Sequence, residues 1–192
     1  MYESLFAALQ QFTAVPDAEL AKARGLFCPV QFDKGIFVVR AGETPDTIAF
    51  VVSGLLRLFY NDADGKEFTK SFCTENSFLA SYSSLLLNKP SRIFIETLEE
   101  STLLIANYAD YQTLADEHPC WQIINRKLAE MLFIKKELRE SELVLDDATT
   151  RYRNFQAEYP GLENRVKQYH IASYLGITPV ALSRIRKQLD QN

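Results

Sequence analysis

Histidine, cysteine and glycine are scarce in this chain, and long apolar runs are missing altogether. The two histidines, His118 and His170, stand alone, and Cys28, Cys73 and Cys120 are odd in number and far apart. Neither a disulfide framework nor the ligand spacing of a zinc or iron–sulfur site can be assembled from them, so no metal is assigned and the cysteines read as small buried side chains. No stretch approaches the length of a membrane span, and no basic segment followed by an apolar run marks a signal peptide. The cytoplasm is therefore the expected location, with no membrane partner.

What is present points to a folded chain. At 192 residues, with 47% hydrophobic and 12% aromatic content, it can bury one substantial core or two small ones. The net charge of −4 is unevenly placed. Residues 151–192 hold seven Lys/Arg against three acids, a net of +4, which leaves −8 on residues 1–150. A basic end on an acidic body suggests a local phosphate-binding surface.

The texture changes along the chain. Residues 1–25 read as helical, with a helix start at Pro16-Asp17-Ala18-Glu19. Short β-rich runs follow: Cys28–Phe32, Ile36–Arg40, Thr47–Ser53, Leu55–Asn61, Glu67–Thr74, Arg92–Leu98 and Ser101–Asn107. Turn residues such as Asp33-Lys34-Gly35 and Asp62-Ala63-Asp64-Gly65 separate them, as in a sandwich or barrel. Tyr108–Glu117 reads as a short helix. From Trp121 to Leu145 a mostly apolar stripe recurs at three- and four-residue steps through Ile124, Leu128, Met131 or Leu132, Lys135, Leu138 and Glu142 or Leu145, with Ile134, Met131 and Leu138 widening it. Such a face packs on its own sheet or pairs with its copy in a second chain. Asp146-Asp147 breaks the pattern and can cap the next helix, Thr150–Glu158, which Pro160-Gly161 ends.

The last segment predicts a two-helix corner. Ile171, Ala172 and Leu175 share one helical face, Gly176 follows where a helix end favours positive φ, Thr178 can cap a second helix and Pro179 fits its first turn. Val180 (or Ala181), Leu182 and Ile185 are expected inside, and Ser183, Arg184, Arg186 and Lys187 outside. A short helix, a tight turn and a second helix with exposed Ser and Arg suit a major groove.

The order of barrel, long helix and basic corner resembles the Crp/Fnr family of bacterial transcription regulators. The resemblance rests on Phe32-Asp33-Lys34-Gly35, Gly42-Glu43, Phe50-Val51-Val52-Ser53-Gly54-Leu55-Leu56-Arg57 and Asp64-Gly65-Lys66-Glu67 in the first half, and on Tyr159–Arg165 and Gln168–Arg186 in the second. It implies an α+β fold: a cyclic-nucleotide-binding-type jelly-roll sensor over 1–118, a long dimerisation helix and linker over 119–146, and an all-α helix-turn-helix domain over 147–192 with a truncated or absent wing. Implied partners are double-stranded DNA, a second copy of the chain and RNA polymerase. Ile124, Leu128, Met131, Leu132, Lys135 and Leu138 are the expected dimer seam. Thr178, Pro179, Val180, Ser183, Arg184, Arg186 and Lys187 are the expected DNA-facing residues, with Arg184 at the position of a base-contacting arginine.

The sensor departs from the family pattern. The Gly-Glu pair of the phosphate cassette becomes Ala80-Ser81, and the Arg-Ser pair is reversed and shifted as Ser91-Arg92. Tight cyclic AMP binding is therefore not expected. Ser81, Tyr82, Ser83, Ser84 and Arg92 are candidates to line a pocket for another small anion, and no cofactor is assigned with certainty. Two rival readings stand beside this one. The first is a small-ligand sensor with a vestigial DNA-binding domain. The second is a cupin-type enzyme, which the absence of histidine from residues 27–108 disfavours; no catalytic residue is assigned.

Overall fold

A computed structural model describes residues 1–189 and 191. The chain forms two compact units, one of residues 1–60 and 72–130, the other of residues 61–71 together with the chain from Met131 onward. It therefore passes from one unit to the other at three places.

The first unit opens with helices α1 (Tyr2–Gln10) and α2 (Asp17–Leu26). The sequence reads residues 1–25 as helical with a helix start at Pro16-Asp17-Ala18-Glu19, and α2 begins there, with Pro16 disfavouring helical geometry in the residue before it. Strands β1 (Cys28–Phe32), β2 (Phe37–Val39), β3 (Thr47–Ser53), β4 (Leu56–Asn61), β5 (Glu67–Cys73), β6 (Phe78–Leu79), β7 (Phe94–Thr97) and β8 (Ser101–Asn107) follow, with α3 (Tyr82–Leu87) between β6 and β7. They form two four-stranded sheets, ordered β1-β8-β3-β6 and β2-β7-β4-β5, the jelly-roll arrangement predicted. Strand β6 and helix α3 are not among the elements predicted, since a two-residue strand and a six-residue helix leave no periodicity to detect.

Alternation along β3 and β8 explains their continuous apolar runs. Ile48, Phe50, Leu104 and Ala106 face the helices, while Ala49, Val51 and Leu103 face the second sheet, so both sides are covered. Gly54, at φ +104°, makes the turn between β3 and β4, where a Cβ would lie 2.6 Å from Ser101 Cα. Only glycine meets both demands. Cys73 and Cys120 are buried as expected, whereas Cys28 is exposed.

Helices α4 (Tyr108–Glu117) and α5 (Pro119–Leu145) complete this unit as far as Glu130. Trp121, fully buried, donates its indole N–H to Glu19 at 2.8 Å. Lys22 bonds Glu19 at 2.9 Å and Glu117 at 2.7 Å. The Lys22 and Trp121 hydrogen bonds outweigh burial and hold the Glu19 carboxyl below its ordinary range.

The second unit holds the β4–β5 turn (61–71), the second half of α5, α6 (Ala148–Glu158), a 3₁₀ turn at Leu162–Asn164, α7 (Gln168–Leu175) and α8 (Pro179–Leu189). Asp147 caps α6 by accepting the Thr150 N–H at 2.7 Å. The core gathers Tyr152, Phe155, Tyr159, Leu162, Ile171, Tyr174, Leu175, Leu182 and Ile185. A truncated wing would fall at Asp190, Asn192 and beyond, outside the described residues.

Candidate functional site

The corner between α7 and α8 is built by its backbone. Gly176 adopts φ +70°, and the Ile177 N–H reaches back to the Ala172 carbonyl at 3.0 Å, the paired closure of a left-handed helix end. Thr178 Oγ1 accepts the Ala181 N–H at 3.2 Å, and Pro179 opens α8. Leu182 and Ile185 are buried. Of the two alternatives for the third inward position, Ala181 is partly covered and Val180 is 61% exposed. Val180, Ser183, Arg184 and Lys187 thus share one exposed stripe at i, i+3, i+4 and i+7.

Thr178 and Pro179 stand exposed at the start of α8, and Arg186 is half-buried on its flank. Gln168, Ser183, Arg186, Lys187 and Gln191 line one shallow groove of about 350 Å³. Gln168 is not among the residues predicted. Its place at the first position of α7, whose backbone N–H groups are unpaired within the helix, is the signal that can find it.

The second half of α5 holds α7 firmly. Arg139 stacks on the Tyr174 ring at 4.0 Å, donates to the Tyr174 carbonyl and pairs with Glu142 at 3.2 Å. Lys135 pairs with Glu158 at 2.7 Å and donates to Tyr159 Oη at 2.9 Å. The Tyr174 hydroxyl donates to the other Glu158 oxygen at 2.7 Å. Burial alone would raise Glu158, but the hydrogen bond and charge of Lys135 and the Tyr174 bond hold it below its ordinary value. Burial, with Tyr159 and Glu158 adding to it, pushes Tyr174 up, so its hydroxyl stays a donor.

Two of the expected seam residues lie in a core. Ile124 is fully buried and Leu128 nearly so, both in the core of the first unit, so they offer a partner almost no surface. Lys135 is engaged by α6. Met131, Leu132 and Leu138 are exposed. Of these, Met131 and Leu138 lie seven residues apart on a face that Ile134 and Leu145, also exposed, extend.

In the cassette, the hydroxyls of Ser81 and Ser84 are buried and turned on each other at 2.9 Å. Ser91 Oγ lies 2.9 Å from Ser81 Oγ and bonds the Ile93 carbonyl at 2.8 Å. The Ser91 N–H donates to the Glu43 carbonyl, at 2.7 Å. Tyr82 is half-buried beside Tyr108, whose hydroxyl is pushed up first by burial and then by Tyr82. Ser83 and Arg92 are exposed. The structure thus brings Ser81 and Ser84 together with Ser91 and leaves Ser83 and Arg92 at the surface. Between the sheets, Val51, Leu56, Leu58, Leu79, Ile93, Ile95 and Leu103 pack into an apolar cluster. Among the described residues no group of His, Cys, Asp and Glu can hold a metal ion, and no helix is long and apolar enough to cross a membrane.

Comparison with known proteins bears on the same two units. Residues 29–118 match the family model of the cyclic nucleotide-binding domain. No curated protein sequence matches the chain. Among solved structures it is similar to FixK2 from Bradyrhizobium japonicum, with TM-score 0.73 and 18% identity over 86% of this chain and 85% of that one. It is also similar to the c-di-GMP-responsive global regulator CLP of Xanthomonas campestris, with TM-score 0.72 and 16% identity over 92% of each chain. A transcriptional regulator of the Crp/Fnr family from Eubacterium rectale gives TM-score 0.70 and 16% identity, over 92% of this chain and 84% of that one. Residues 29–118 are therefore similar to a cyclic nucleotide-binding domain, within a fold shared with Crp/Fnr-type transcription regulators.

Proposed function

We infer that this chain is a DNA-binding transcription regulator of the cytoplasm, acting as a homodimer on a roughly palindromic operator through a helix-turn-helix formed by α7 and α8. The observation that carries the reading is the exposed stripe of Val180, Ser183, Arg184 and Lys187 opposite buried Leu182 and Ile185. Arg184 presents a planar fork that suits guanine O6 and N7, and Val180 suits a thymine methyl. Ser183, Arg186 and Lys187, with Gln168 across the groove, suit phosphate oxygens, which set register without reading sequence. Thr178 caps the helix, and Pro179 leaves no polar side chain for a base edge.

The exposed face of α5 through Met131, Ile134, Leu138 and Leu145 supports pairing with a second copy. The sensor has a degenerate pocket: the hydroxyls that would meet an anion bond one another, and Arg92 lies at the surface. Selection of duplexes from a random pool by the full chain tests the reading. The expected product is a pair of half-sites about 34 Å apart, bound with an affinity that falls steeply with salt. Absence of any duplex bound above background at low salt overturns it and leaves the sensor module with a vestigial DNA unit.

A further inference from the structure

Three buried hydroxyls meet between α3 and the residue that precedes β7, and their protons can be placed. Ser91 Oγ donates to the Ile93 carbonyl at 2.8 Å, which uses its one proton. The 2.9 Å bond between Ser81 and Ser91 is then donated by Ser81. Ser81 has no proton left, so Ser84 donates to it, again at 2.9 Å. A one-way chain results, from Ser84 to Ser81 to Ser91 to a backbone carbonyl. Each residue is 4% exposed at most, and each hydroxyl proton has an acceptor. The backbone of Ser91 is fixed as well: its N–H donates to the Glu43 carbonyl at 2.7 Å and its carbonyl accepts the Gly42 N–H at 2.8 Å. Glu43 in turn accepts the Arg40 N–H on its carboxylate at 2.8 Å. One serine thus joins three segments distant in sequence. Apolar groups of the same shape fill such a space at little cost, whereas hydroxyls tolerate only an arrangement in which each is paired. Helix α3, of six residues, is too short to stand without such support.

We propose that Ser91 is the latch of a self-filled site. The Ser84–Ser81–Ser91 chain occupies from within the polar place beside α3, and it holds turn 40–43, α3 and Ile93 as one cooperative unit with no bound molecule. This part of the chain is set in a single state by its own side chains, and no effector is needed to order α3. The latch deepens the reading of a degenerate pocket. It lies wholly within residues 1–60 and 72–130 and does not depend on DNA binding.

Amide hydrogen exchange of the full chain, resolved by residue, tests it with three alanine variants. Each substitution removes the same single oxygen, so a steric role alone predicts equal effects. The direction of the chain predicts unequal ones. Ser84→Ala removes the first donor and leaves every other hydroxyl proton bonded, so α3 is expected to exchange less than about 3-fold faster. Ser91→Ala strands the Ser81 hydroxyl and the Ile93 N–H, which Ser91 Oγ accepts at 3.2 Å. About 10-fold faster exchange or more is expected there. Ser81 makes no bond to turn 40–43, yet Ser81→Ala is expected to speed the Gly42 amide by the same factor as the Leu85 amide, which bonds the Ser81 carbonyl, because the unit opens as a whole. Acceleration confined to α3, or equal in all three variants, overturns the latch. Should Ser91→Ala not fold, Ser81→Ala against Ser84→Ala decides by the same criteria. Inorganic phosphate at about 10 mM is expected to leave wild-type exchange unchanged; slowing of α3 by about 3-fold or more reveals a site that still awaits an anion and overturns the latch too. Binding of cyclic AMP overturns the degenerate pocket separately, and the three variants still decide the latch.

Discussion

Arg184 lies one turn after Val180 and one turn before Lys187, and the three differ in what they can discriminate. Arg184→Ala is expected to weaken the selected operator by about 1–3 kcal/mol and to relax preference at one base position, measured by anisotropy against single-base variants. Lys187→Ala is expected to weaken all sequences alike and lower the salt slope by about 1; a sequence-selective loss contradicts its phosphate role. Glu158 carries a different prediction. Its carboxyl is held below the ordinary value near 4.5, so its contribution is fully present above that value and is lost as pH falls through the folded-state value. Glu158→Gln is expected to cost about 0.5–1 kcal/mol at pH 7, a modest amount because solvent screens a side chain left about one-third exposed. The difference from wild type should shrink progressively as pH falls below about 4.5; a constant difference across pH means the carboxylate charge is not what matters.

At the scale of elements, α5 spans about 40 Å and changes environment halfway. Up to Leu128 its apolar residues belong to a core, and from Met131 they face outward. Leu138, 60% exposed, sits at the centre of the outward stretch. Leu138→Asp is expected to weaken self-association at least about tenfold in sedimentation, while the far-ultraviolet spectrum stays unchanged because Leu138 is mostly exposed. The same helix shows what was legible beforehand. Its length and stripe follow from period alone, but Ile124, Leu128, Met131 and Leu138 fit one period equally well, and period does not say what covers a face. The strands β3 and β8 were readable because apolar runs bounded by turns mark them. Helix α3 was too short to be read. The corner was nearly complete in sequence because Gly176, Thr178 and Pro179 are local signals. The bonds of Ser173 Oγ to the Glu67 carbonyl and the Thr69 N–H were not, since two of the three participants are backbone groups and the third is an ordinary helical serine.

For the whole molecule, a ligand bound to the sensor would show as added stability. Saturation at a hundred times the dissociation constant contributes about 2.7 kcal/mol, several degrees in Tm for a chain of this size. Cyclic AMP at about 1 mM is expected to leave Tm unchanged within about 1 °C, because Ser81, Ser84 and Ser91 are already bonded to one another. A rise of several degrees would show that the trio opens. The charge division, −8 on residues 1–150 and +4 on residues 151–192, concentrates positive charge at one end of the sequence.

The C-terminal unit is discontinuous in sequence, because residues 61–71 count with it. A recognition module transplanted at a single junction after Glu130 would arrive with Ser173 but without the backbone groups its hydroxyl bonds. A chimera that keeps the bonds of Ser173 Oγ to Glu67 and Thr69 exchanges residues 61–71 together with the chain from Met131 onward.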